Sequence, residues 1–190
     1  MIHVDQLGTE FGQGAQRAVT DIPLPLGLDA DAFTAAFRRH AAGVAVITAN
    51  SGDGPVGLTA TSVVSVSAQP ALLVFSVSEL SSSAPTIARA STVVVHLLGV
   101  EQLTIARLCA TSGIDRFADT SLWSSLETGE PYFPGAATWI RGRIVNRMSA
   151  GTSTVIALHA LTTGTGDPSS APLVYHDRTW HRLGEHSLVR

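Results

Sequence analysis

Three runs rich in β-branched residues follow one another with almost nothing between them: VAVITA (44–49), PVGLTATSVVSVS (55–67) and PALLVFSVS (70–78). Short runs of this kind, bounded by turn residues, form strands. The intervening NSGDG (50–54) carries the Gly and Asx residues that a hairpin turn demands. Pro70 is tolerated at the head of a strand, where its missing donor does little harm. The pattern returns in TVVVHLL (92–98), ATWIRGRIVNRM (137–148) and TSTVIALHALTTG (152–164), and APLVYHDRTWHRL (171–183) reads as a closing hairpin. Many strands joined by short turns, with few helices, predict an antiparallel barrel decorated by helices rather than a doubly wound parallel sheet.

Three segments carry helical signals. In DADAFTAAFRRHAAG (29–43), Asp29 or Asp31 can cap the start, Phe33, Ala36, Phe37 and Ala41 share a face, and Gly43 falls where a left-handed stop belongs. SSSAPTIARAS (81–91) offers Ser82 or Ser83 as cap and Pro85 in the first turn. VEQLTIARLCA (100–110) points Val100, Leu103, Ala106 and Leu108 inward. Residues 1–28 show no sustained period, so the reading is an N-terminal arm (1–28), one domain (29–185) and a short tail (186–190).

Composition narrows the partners. At 190 residues and 45% hydrophobic the chain can bury one substantial core, and a net charge of -3 leaves no basic field for a nucleic-acid backbone. No apolar run is long enough to span a bilayer, and MIHVDQLGTEFGQG lacks the pattern of a secretory signal. The single Cys109 cannot form an internal disulfide, and a cytoplasmic location is expected.

Strands that alternate β-branched residues with Ser or Thr can bury one face and line a groove with hydroxyls on the other. Such a surface suits a polar, phosphorylated ligand held without a cationic field. In this order, FRRHAAGVAVITA, GDGPVGLTATSVVSVSAQPALLVFSV, SSSAPTIARAS, VVVHLLGVEQLTIARLCA and DRFAD followed by Trp123 resemble the flavin reductase family with the FMN-binding split-barrel fold. Members of that family are usually the reductase components of two-component flavin-dependent monooxygenases. The resemblance implies an antiparallel, Greek-key-like split β-barrel that binds FMN or FAD, with NAD(P)H as co-substrate. It implies that Thr59, Ala60, Thr61 and Ser62 line the flavin, that Ser76 and Ser78 follow on the next strand, and that Ser82, Ser83, Arg116 and Phe117 lie at the phosphate end. It also implies a homodimer and a monooxygenase partner. No catalytic side chain is required, because the cofactor supplies the chemistry.

One departure concerns the donor side. Where the family carries Gly, Asp and His in succession, this chain has Gly151, Thr152 and Ser153, so the imidazole that helps seat nicotinamide is missing. Leu158 and His159 replace the family's following Gly and Glu, and His96 replaces its usual strand Asn. Two readings stay open: an NAD(P)H:flavin oxidoreductase, and a flavin- or small-ligand-binding barrel that has lost the reductase step. His176, His181 and His186 recur at a spacing that suits no metal site. Cys109, late in its helix, is expected to pack in the core. The GQGAQR segment at Gly12 follows no strand and is not a dinucleotide fingerprint.

Overall fold

The computed structural model describes residues 26–167 and 169–189. The expected arm lies almost wholly outside the described residues, as does GQGAQR.

In chain order the elements are α1 (Ala30–Arg38), β1 (Ala42–Gly43), β2 (Ala45–Asn50), β3 (Pro55–Ala60), β4 (Val64–Ala68), β5 (Ala71–Ser78), α2 (Ala84–Arg89) and β6 (Thr92–Leu97). There follow α3 (Leu103–Ala110), β7 (Ser124–Ser125), β8 (Pro131–Tyr132), β9 (Thr138–Ala150), β10 (Ser153–Thr165), β11 (Leu173–His176) and β12 (Thr179–Arg182). Seven strands form one antiparallel sheet in the order β3-β2-β6-β9-β10-β5-β4, and β1-β11-β12 form a second, small sheet. The fold is the antiparallel split barrel that the sequence predicts.

The stretch 55–67 is not one strand. It pairs with β2 as far as Ala60, breaks at Thr61–Val63, and resumes as β4 on the partner β5. The two ends of the sheet order therefore come back together. Ser62 holds them there: its hydroxyl accepts from the Ser76 N–H at 3.0 Å and lies 3.3 Å from the Ser76 carbonyl, to which it donates. The barrel is closed at this point by a side chain rather than by a ladder.

Strand alternation divides the core in two. Ala45, Ile47 and Ala49 of β2 face the barrel interior with Leu58, Phe75, Val93, Val95, Ile156 and Leu158. Val46 faces the other way, joining Ile105, Ala106 and Cys109 of α3 with Phe117 and Phe133. Because β2 is buried on both faces, its sequence reads as a continuous apolar run. The inward face of α3 is Ile105, Ala106 and Cys109, with Leu103 and Leu108 only half-buried. That places the stripe a fraction of a turn from the expected one.

The helix α1 is amphipathic and capped by Asp29, whose carboxylate accepts from the Ala32 N–H at 2.7 Å, yet none of its residues is buried. Phe33 and Phe37 stack at 4.7 Å while remaining 53% and 59% exposed. Ser83 occupies the N-cap position of α2 without making a cap bond. Its hydroxyl donates instead to the Gly57 carbonyl at 3.0 Å, which ties α2 to β3.

A charged pair joins buried Glu130 to half-buried Arg141. Arg141 Nε and Nη2 each reach Glu130 Oε1 at 2.8 Å, and Thr92 and Thr128 also donate to that carboxylate. Burial raises the Glu130 pKa, but the hydroxyl bonds and the Arg141 charge outweigh it and hold the carboxyl below the ordinary Glu value. Among the described residues no helix is long and apolar enough to cross a membrane.

Candidate functional site

The split between β3 and β5 opens into a groove of about 510 Å³. Its walls bring together Thr59, Ala60, Thr61 and Ser62 from β3 and the break after it, Ser76 and Ser78 from β5, and Ser82, Arg116 and Ser153. Segments separated by about half the chain thus meet at one surface. Their hydroxyls are not equivalent. Thr59 donates to the Ala106 carbonyl of α3 at 2.6 Å, Ser62 binds the β5 backbone, and Ser78 accepts from the Leu80 N–H at 3.3 Å. Thr61 is exposed, and no protein bond holds its hydroxyl among the described residues.

Arg116 defines one end. Its Nε and Nη2 both donate to the Thr111 carbonyl, at 3.1 and 2.8 Å, and Nη1 faces Ser82 and Ser83 at 3.2 and 3.4 Å. The carbonyl at the end of α3 therefore fixes the guanidinium plane against the serine cluster. Arg116 is half-buried, and no carboxylate pairs with it among the described residues. An Nη2 proton and the Ser82 hydroxyl remain for a ligand. This donor set fits the phosphate of a flavin mononucleotide, which a guanidinium binds through charge-assisted bonds.

Phe117 and Ser83 sit behind the wall rather than on it. Phe117 is buried, stacks on Phe133 with centroids 5.8 Å apart and meets Trp123 edge-on at 5.2 Å. Trp123 donates its indole N–H to the Phe117 carbonyl at 2.9 Å, which locks the backbone beside Arg116. Gly57 lies close by: a Cβ there would come within 3.3 Å of Cys109 Sγ and 3.4 Å of the Phe117 ring, so a larger residue would push these side chains back by a few tenths of an ångström. Burial pushes the Cys109 thiol up to about 12 despite the Arg116 charge, so it is inert as a nucleophile at neutral pH.

Ser153 lines the groove opposite Ser78, with which it pairs across the β5–β10 ladder. Gly151 and Thr152 form the exposed β9–β10 turn, where Gly151 takes φ +64° and the Thr152 carbonyl accepts from the Glu79 N–H at 3.0 Å. Of the three, only Ser153 faces the groove.

Sequence reasoning missed Ser81 and Ser112, which also line the groove, because a lone loop serine carries no periodic signal. It also missed the role of His96, which is fully buried. The Phe133 N–H donates to Nε2 at 3.0 Å and Nδ1 lies 3.0 Å from the Val46 carbonyl, which requires the neutral tautomer protonated at Nδ1. Burial lowers the His96 pKa to about 4, partly offset by the bond to Val46.

Residues 37–184 match the model of the flavin reductase like domain. The chain belongs to the flavin reductase family. It is 44% identical over 162 residues to an NADH:FMN oxidoreductase of Rhodococcus qingshengii, covering 84% of each chain. An NADH:FAD oxidoreductase of Streptomyces globisporus, solved with NAD and FAD fragments, superposes with a TM-score of 0.76 at 26% identity, over 84% of this chain and 95% of that one. The flavin reductase component of a bacterial two-component tryptophan halogenase superposes with a TM-score of 0.74 at 26% identity, over 83% and 100%.

Proposed function

We infer that this flavin reductase uses NAD(P)H to reduce FMN or FAD and supplies the reduced flavin to a partner monooxygenase. The observation that carries the reading is the hydroxyl-lined split with Arg116 at one end, in a chain aligned over 84% of its length with an NADH:FMN oxidoreductase. Bound flavin supplies the hydride-accepting ring system, so the protein need only hold donor and acceptor in contact. Arg116 and Ser82 are the proposed phosphate end, with Ser83 behind them orienting the guanidinium. Thr61 supplies a free hydroxyl along the ring system, while Thr59 and Ser62 keep the groove's shape by bonding to backbone. Ser153 is the proposed contact on the nicotinamide side, offering a single hydroxyl to the donor.

A homodimer fits the exposed valines of the end strand β4, Val64 and Val66. A partner oxygenase is supported by the likeness to a two-component reductase.

Anaerobic rapid mixing of enzyme and flavin with NADH or NADPH tests the reading. Loss of flavin absorbance on addition of a donor is the expected outcome. Unchanged absorbance with both donors, in a protein that still binds flavin, would instead assign the barrel to ligand binding alone.

A further inference from the structure

A second cleft lies between α1 and the β11–β12 hairpin and continues from the flavin groove, because Thr61 lines both. Its volume is about 290 Å³, the lower end of small-molecule sites. Phe33, Phe37 and Tyr175 provide aromatic walls, and Arg38 and Arg178 bring guanidiniums to the rim. Asp177 is the one carboxylate in the lining, and among the described residues neither arginine pairs with an acid. The hairpin is docked onto α1 by the Asp177 N–H, which donates to the Arg38 carbonyl at 3.1 Å.

This cleft is distinct from the phosphate end already described. Ser83 and Arg116 sit at the level of Gly57, and Thr61 is four residues further along, roughly 13 Å at strand rise. Aromatic faces beside two unpaired guanidiniums suit a purine ring carrying phosphates. In a protein of net charge -3, two such cations together at a pocket mark an anionic ligand. A second copy seated on a two-fold axis through the cleft would instead bring these like charges toward one another.

We propose that the cleft binds the adenosine diphosphate half of a dinucleotide whose other half reacts in the barrel split. The proposal rests on the reading of the split as the flavin site. The source of that half is the nicotinamide donor or FAD, and the same measurements separate the two.

The test compares wild type with an Arg38→Gln/Arg178→Gln double variant. Glutamine removes the charge while keeping an unbranched polar side chain, and it meets the same backbone requirement at position 178, where φ is 61°. Calorimetric titration with ADP should show binding to wild type that weakens with added salt and about tenfold in the variant. With FMN as acceptor, the KM for NADH should rise about tenfold, while that for reduced nicotinamide mononucleotide, which lacks the adenosine half, and the FMN affinity stay unchanged. A loss confined to FAD affinity would assign the same cleft to the flavin's adenosine diphosphate. No ADP binding to wild type overturns the proposal, as do equal effects on both donors. So does a variant that becomes monomeric while keeping its ADP affinity. Failure of every donor to reduce flavin would count against the proposed function, and the ADP titration would still read the cleft by itself.

Discussion

Arg116 commits its Nε, both Nη1 protons and one Nη2 proton to Thr111, Ser82 and Ser83, so the guanidinium is oriented before any ligand arrives. Replacing it with Ala should weaken FMN binding by about 1.5 to 3 kcal/mol, the range for a hydrogen bond to a charged group. Riboflavin, which lacks the phosphate, should lose little. Fluorescence titrations with the two flavins check this, and equal losses would place Arg116 away from the phosphate. His96 is a different kind of residue, one held neutral by burial while two backbone partners fix its tautomer. Its pKa of about 4 in the fold, against 6.5 in the unfolded chain, means that the unfolded state binds the extra proton between those values. The contribution to stability is therefore complete above pH 6.5 and is lost as the pH falls toward 4, reaching about 2 kcal/mol lost by pH 5. Glu130 acts only at lower pH, because its lowered pKa keeps it ionised down to and below the ordinary Glu value. Urea midpoints at pH 7 and pH 5 should thus differ in wild type and much less in His96→Asn. An equal pH dependence in both would assign the loss to other groups.

At the scale of elements, the decisive event is the break at Thr61–Val63. Ser62 and Thr61 are neighbours with opposite duties. Ser62 joins β3 to the β5 backbone, and Thr61 leaves its hydroxyl toward the groove. Ser62→Ala should cost about 1 to 3 kcal/mol through the unsatisfied Ser76 backbone, lowering Tm by several degrees. Thr61→Ala should leave stability within about 0.5 kcal/mol of wild type and weaken flavin binding instead. Melting curves and flavin titrations on the two single variants separate the roles. Equal melting losses would show that the closure does not depend on the Ser62 hydroxyl.

For the whole molecule, the exposed valines of the end strand β4, Val64 and Val66, carry the main expectation. Light scattering at micromolar concentration with flavin present should report a homodimer. A monomer would leave Val64 and Val66 exposed in solution and would count against this expectation. The Glu130–Arg141 pair shows why charge counting in sequence misleads here. Both residues look like ordinary surface charges, and only the convergence of β6, β8 and β9 largely removes them from water.

The strands and the hydroxyl cluster were legible in the sequence because they depend on period and turn chemistry, which act over a few residues. NSGDG turned where Gly52 and Gly54 take positive φ, and the runs 44–49, 70–78 and 92–98 became β2, β5 and β6. The order of motifs also announced the family. Tertiary structure alone decided where each hydroxyl points. Ser83 and Phe117 stand in the same motifs as Ser82 and Arg116, yet the first pair is buried behind the groove wall and the second faces it. Likewise His96 looks like a single substitution in a strand until Phe133, 37 residues away, donates to its ring. Period fixes which side of a strand a residue takes, but what waits on that side depends on segments far apart in the chain, and only their packing brings them together.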